Sequence, residues 1–131
     1  MARWEEVQER MRVAFQLDRD DPNEFALTVP RQVAPASSRE QRVMVRRFVA
    51  FDREMIEFRS AFGELGDATA EDLLRESLHL PLGAIALHGR FLVVVHRESL
   101  EPLGLDDVLF LLTHISLVAD ELEERRGSDR F

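Results

Sequence analysis

The spacing of apolar positions divides the chain into blocks of helical and strand period. Trp4, Val7, Met11, Ala14 and Phe15 recur at intervals that predict an amphipathic helix over 3–17. DRDDPNE, 18–24, is polar and reads as a breaker. FALTVP, 25–30, alternates, with Phe25, Leu27 and Val29 on one side and Ala26 and Thr28 on the other. That is a short strand, and Pro30 marks an edge or an end of it. APASS, 34–38, reads as a loop. Two longer strands follow, 42–51 and 55–62. A three-residue loop at Asp52–Glu54 pairs Phe51 with Met55, Ala50 with Ile56, Phe48 with Phe58 and Met44 with Phe62. It thereby gathers Met44, Phe48, Ala50, Ile56, Phe58 and Phe62 on one face. A four-residue loop sets Phe48 against Arg59 and mixes the faces. A one-residue slip flips a strand's side chains, so the three-residue loop is the expectation. The opposite face then carries Val43, Val45, Arg47, Val49, Phe51, Met55, Glu57 and Arg59, neither cleanly polar nor cleanly apolar.

GELGDA interrupts the strand pattern. Thr69 is placed to cap a helix over 70–79, with Pro81 as its stop. GAIALHGRFLVVVHRE, 83–98, predicts a hairpin with a two-residue turn at His88–Gly89. That turn sets Ala86 opposite Phe91, Ala84 opposite Val93 and Leu82 opposite Val95. Ile85, Leu87, Leu92 and Val94 lie on the other side, so both faces of the hairpin are apolar. LEPLGL leads into a helix over 106–126, with Asp106 or Asp107 near its cap and Gly127 past its end. The segment VLFLLTHISLVA in that helix is apolar almost all round, whereas DELEERR is not, and its ELEERR part reads as a solvated face and helix-end charge. The order α-β-β-β-α-β-β-α predicts one α+β domain over 1–131, with a mainly antiparallel five-stranded sheet and helices packed on it.

Composition narrows the chemistry. The chain has 131 residues, 25 acids, 17 bases and a formal charge of −8. No basic stripe tracks a phosphate backbone, so direct nucleic-acid binding is not expected. All the bases are arginine, which removes Schiff-base and phosphate-loop lysine chemistry. There is no cysteine, so disulfides, thiolate nucleophiles and Cys-based metal sites are absent. No apolar run reaches the about 18 residues of a membrane span. The charged opening MARWEEVQER does not read as a secretory signal, and a cytoplasmic protein is expected. His79, His88, His96 and His114 have no spacing that suits zinc. Ser37 and Ser38 have no placed base, and GELG has no phosphate-loop pattern. No catalytic residue, metal or cofactor is assigned, and the protein is read as a non-enzyme.

With the segment LPLGAIALHGRFLVVVHRESLEPLGLDDVLFLLTHISLVADELEE, the element order resembles the bacterial YbjN-like family and the type III secretion chaperone fold that it shares. There a strand pair, a short Leu- and Pro-containing loop and a long acid-ended helix follow one another. The resemblance implies small acidic homodimers that hold segments of other proteins, with no catalytic residues to carry over.

Two functions are therefore expected as alternatives: a protein-binding module that works as a homodimer, and a small regulatory domain that senses an apolar small molecule. For the first, the partner-binding residues are Val43, Val45, Arg47, Val49, Phe51, Met55 and Arg59, with the edge of strand 25–30 as a further docking line. Arg47 opposite Arg59, with Glu57 nearby, reads either as a docking point for an acidic partner segment or as solvated stems over Val and Phe. The competing expectation for this face is a lid made by Trp4, Val7, Met11 and Phe15 of the first helix. The dimer interface is expected at Leu92, Val94, Phe110, Leu111, His114, Leu117 and Val118, because a monomer should not expose so much contiguous apolar surface.

Overall fold

The computed structural model describes residues 2–35 and 37–126. The chain runs α1 (Trp4–Ala14), β1 (Leu17–Asp21), β2 (Glu24–Ala34), β3 (Ser37–Ala50), β4 (Arg53–Glu64), α2 (Ala70–Leu78), β5 (Ala84–His88), β6 (Phe91–Ser99) and α3 (Leu105–Arg125). The strands form one antiparallel six-stranded sheet in the order β1-β2-β3-β4-β6-β5. The α+β class is as expected, but the sheet has six strands instead of five. The additional strand, β1, lies where the polar breaker was expected. It is an edge strand, and its polarity suits that place. Asp20 accepts hydrogen bonds from Gln8 and Arg12 of α1, and Trp4 Nε1 donates to the Pro22 carbonyl at 2.8 Å. These bonds turn an acidic segment into a docking strip for the first helix. That helix ends at Ala14 because Leu17 is already in β1.

The second helix is capped as expected: Thr69 Oγ1 accepts from the Asp72 N–H at 3.2 Å. At α3, the Asp107 carboxylate accepts from the Gly104 N–H at 2.9 Å. The proposed cap Gly127 lies outside the described residues, as does Ala36 of the expected 34–38 loop. Most of that loop is strand, since β2 runs to Ala34 and β3 starts at Ser37. Pro30 fits inside β2 because β1 covers β2 only as far as Leu27, which leaves the next part of the strand open on that side.

The β3–β4 turn has two residues, Phe51 and Asp52, both at positive φ (54° and 58°). Ala50 therefore pairs with Arg53, Phe48 with Met55, Arg46 with Glu57 and Val45 with Phe58. The expected three-residue loop and the Phe48–Phe58 pair are overturned. The offset between the two registers is odd, so it exchanges the faces of one strand relative to the other. At the second hairpin the turn is Gly89–Arg90, one position later than expected, and His88 pairs with Phe91. There the offset is even, so the expected partners shift but the expected faces survive.

One side of the sheet, the helix face, carries Phe25, Leu27, Val43, Val45, Ile56, Phe58, Leu92 and Val94, all buried. All three helices lie on this side. Trp4 of α1 stacks on Phe25 at 5.4 Å, α3 crosses β3, β4 and β6, and Arg126 after α3 reaches Glu76 of α2. The last helix buries more than its apolar half. Asp120 accepts from Arg31 at 2.7 Å and from Arg39 at 2.9 Å, and Arg39 also reaches Glu123 at 3.5 Å. Arg31 and Arg39 are direct cross-strand partners, so their like charges need these carboxylates. The reading of ELEERR as a solvated face is corrected at Glu123, which is buried, as is Asp120 just before it.

Phe58 is fully buried on the helix face, whereas Phe48 is half-buried on the other. Phe58→Ala is expected to cost about 3–5 kcal/mol, and Phe48→Ala about 1–2 kcal/mol. Urea midpoints of the two variants check the order. Equal losses would mean that the two rings share one core.

Candidate functional site

The face away from α1, α2 and α3 can be read as rows of cross-strand partners, because such partners share a side of the sheet. Phe48, Met55 and Ser99 form one row across β3, β4 and β6. Arg46, Glu57 and Arg97 form the next. Met44, Arg59, Val95 and Ala84 follow, then Ala61, Val93 and Ala86. His88 and Phe91 close the lower end. A charged row thus separates two apolar regions.

The charged row is built on Glu57. Its carboxylate is only 1% exposed although it lies on the face away from α1, α2 and α3. Arg46 donates to it from Nε and Nη2 at 2.9 and 3.1 Å, Arg97 from Nε at 2.6 Å, and Arg59 from Nη1 at 3.3 Å. The Phe48 ring lies under two of these guanidinium groups, Arg46 at 4.6 Å and Arg97 at 5.7 Å. Burial alone pushes the Glu57 carboxyl up. The hydrogen bonds from Arg46 and Arg97, together with their charges, outweigh it and hold the carboxyl below its ordinary range. The same bond to Glu57 raises Arg46. Three arginines on Glu57, with Glu24 as a second carboxylate beside Arg59, still leave positive charge in excess here, in a chain of net charge −8. The next carboxylate, Glu24, stands 3.9 Å from Arg59.

Beside the charged row lies a groove of about 330 Å³, lined by Arg42, Met44, Arg59, Ala61, His88, Phe91 and Val93. Its floor is apolar, and Arg42 and Arg59 supply its charge. Asp18 pairs with Arg42 at 3.0 Å.

The residues expected to bind a partner do not share this face. Met55 and Arg59 lie on it. Val43 and Val45 are fully buried on the helix face, where Val45 faces Phe58 and Phe25, itself stacked under Trp4. Trp4, Val7 and Met11 of the first helix share their core cluster, with Trp4 stacked on Phe25 of β2, while α3 is the helix that packs on β3. Arg47 is on the helix side and pairs with Glu54, so it does not stand beside Arg59. Val49 and Phe51 are exposed at the hairpin tip, Phe51 at 91%. The edge proposed on strand 25–30 is occupied by β1 up to Leu27.

The expected dimer residues also divide. Leu92 and Val94 belong to the chain's own core, and Leu111 and Val118 are buried within it. Phe110 is 56% exposed and stacks on His114 at 4.0 Å, with Leu117 half-buried. Among the described residues no group of three or more His, Asp or Glu is placed to hold a metal ion, and no helix is long and apolar enough to cross a membrane.

The sequence reading did not single out Arg46, Arg97, Met44, Ala61, Phe91 or Val93 as site residues. One signal pointed to part of this set. Glu57 is the single acid inside MIEFRSAF, and an acid amid strand apolars needs a cation directly across the ladder. Arg46 and Arg97 flank it on the two neighbouring strands. No protein-family model and no curated protein matches the chain.

Glu57→Gln leaves three guanidinium groups without their shared charge. A loss of about 2–4 kcal/mol is expected at neutral pH, below the figure for a fully interior pair because Arg46 and Arg97 are open to water. The pH dependence has a definite sign. A carboxyl depressed in the folded state contributes fully above its unfolded value of about 4.3, and that contribution is lost as pH falls through the folded value. Wild-type stability should therefore fall more steeply than that of Glu57→Gln below about pH 4.3. Parallel acid limbs in urea titrations would contradict the assignment.

Proposed function

We propose that this protein is a non-enzymatic protein-binding module, chaperone- or adaptor-like, that works as a homodimer. The observation that carries the reading is the one-sided sheet. All three helices lie on one face, and the other presents apolar rows, a groove of about 330 Å³ and a cluster of arginines. An uncovered sheet face with a built groove is a surface for a partner. The resemblance to the YbjN-like family and the secretion chaperone fold leads to the same class. For the dimer, the supporting surface is the outer stripe of α3, where Leu109, Phe110, His114 and Leu117 are at least partly exposed.

The competing reading is a domain that senses an apolar ligand. The groove's volume is at the lower end of small-molecule sites. Against that reading, the groove is formed by outward-facing residues of adjacent strands and continues into an open surface.

Selection of random dodecapeptides on phage against the purified protein tests the binding face. Enriched peptides are expected, and Ala61→Trp, which fills the groove, should weaken them about tenfold or more by anisotropy. No enrichment, or equal binding to Ala61→Trp, would overturn the open-face reading. Light scattering tests assembly separately. A mass near twice the 15.1 kDa of one chain is expected, reduced towards one chain by Phe110→Asp. A wild-type mass near 15.1 kDa would remove the dimer.

A further inference from the structure

We infer that the segment held on the open face is acidic, with a carboxylate seated on Arg97 and Arg59 while a neighbouring apolar side chain enters the groove. This rests on the protein-binding reading and specifies its partner.

The argument begins with how Arg97 is held. Its Nε donates to Glu57 at 2.6 Å, and its guanidinium lies over the Phe48 ring. Those two contacts orient the planar group. Neither Nη1 nor Nη2 makes a hydrogen bond among the described residues, and the side chain is 57% exposed. The terminal fork of a guanidinium matches a carboxylate bidentately. Here the fork is positioned before any ligand arrives, which lowers the ordering cost of binding. Arg59 is the diagonal neighbour on β4. It reaches the same Glu57 through Nη1, and its Nη2 lies 3.7 Å from Met44 Sδ. Arg59 also lines the groove. One arginine thus touches both the charged row and the apolar floor. A ligand residue with a carboxylate over Arg97 and Arg59 has the groove as its immediate neighbour.

Charge selects the kind of partner. This patch keeps an excess of positive charge although the chain carries −8 overall. A second copy packed face to face would oppose one arginine cluster with another, which is unfavourable. An acidic segment satisfies the cluster and replaces water on an apolar floor.

The test uses the same dodecapeptide library at low salt, about 50 mM, and high salt, about 500 mM. The expected peptides carry Asp or Glu beside an apolar residue, and their affinity falls with salt. Changing that acid to Gln in the peptide should weaken binding about tenfold, as should Arg97→Gln in the protein. Combined, the two changes should cost little more than either alone, since they remove one contact. The peptide change leaves the protein's folding untouched. Peptides lost with Ala61→Trp but indifferent to salt, to the Gln change and to Arg97→Gln would refute the acidic partner while leaving the binding face in place. Additive losses would also refute the pairing. A library that yields no peptide would refute the binding face and this inference together.

Discussion

The two-residue turn at Phe51 and Asp52 decides which side of the sheet every side chain of β3 and β4 occupies. Both residues hold a left-handed backbone, which costs an ordinary residue such as Phe51 about 1–2 kcal/mol and is tolerated more cheaply by Asp52. The register it sets puts Val43, Val45, Ile56 and Phe58 under the helices. It also brings Arg46 opposite Glu57 on the other face, where β6 adds Arg97. A slip of one residue would place Glu57 in the apolar core or expose the valines. Core burial and the ion cluster select the same register, which explains how a turn with Phe51 at positive φ is kept.

Arginine and carboxylate meet on both faces, in different ways. On the helix face, Arg31 and Arg39 reach from β2 and β3 to Asp120 and Glu123, and both carboxylates are buried. That assembly fixes the end of α3 on the sheet. Removal of one partner would strand a buried charge, so its role lies in placing the helix more than in net stability. On the open face arginine is in excess, with three arginines on one glutamate and a donor fork turned to water. The first arrangement is closed, and the second leaves capacity for a ligand.

The edges of the sheet point the same way. β1 is acidic and tied to α1, and at β5 the Ile85 N–H is taken by Ser77 Oγ at 3.0 Å. Strand addition is restricted at both ends. The broad open surface of the sheet is therefore its face, with Phe110 and His114 on α3 as a separate patch.

Much of the fold is legible in the chain itself. Helical and two-residue periods locate α1, α2, α3 and the central strands, because burial on one face of an element imposes its period on the residues. The capping role of Thr69 and the apolar faces of β5 and β6 follow from local chemistry and alternation. β1 is not legible, because its residues become a strand only when Trp4, Gln8 and Arg12 bind it. Glu123 reads as part of a solvated face, and the burial of both it and Asp120 depends on Arg31 and Arg39, which arrive from more than eighty residues away. The open face depends most on tertiary structure. Arg46, Glu57 and Arg97 come together only through the register of three strands, and that register is set by a turn, Phe-Asp, that lacks glycine and puts a phenylalanine at positive φ. Composition and period decide what each segment becomes. Which residues share a face is decided by pairing, because a single-residue offset reverses every side chain while leaving the pattern of the strand unchanged.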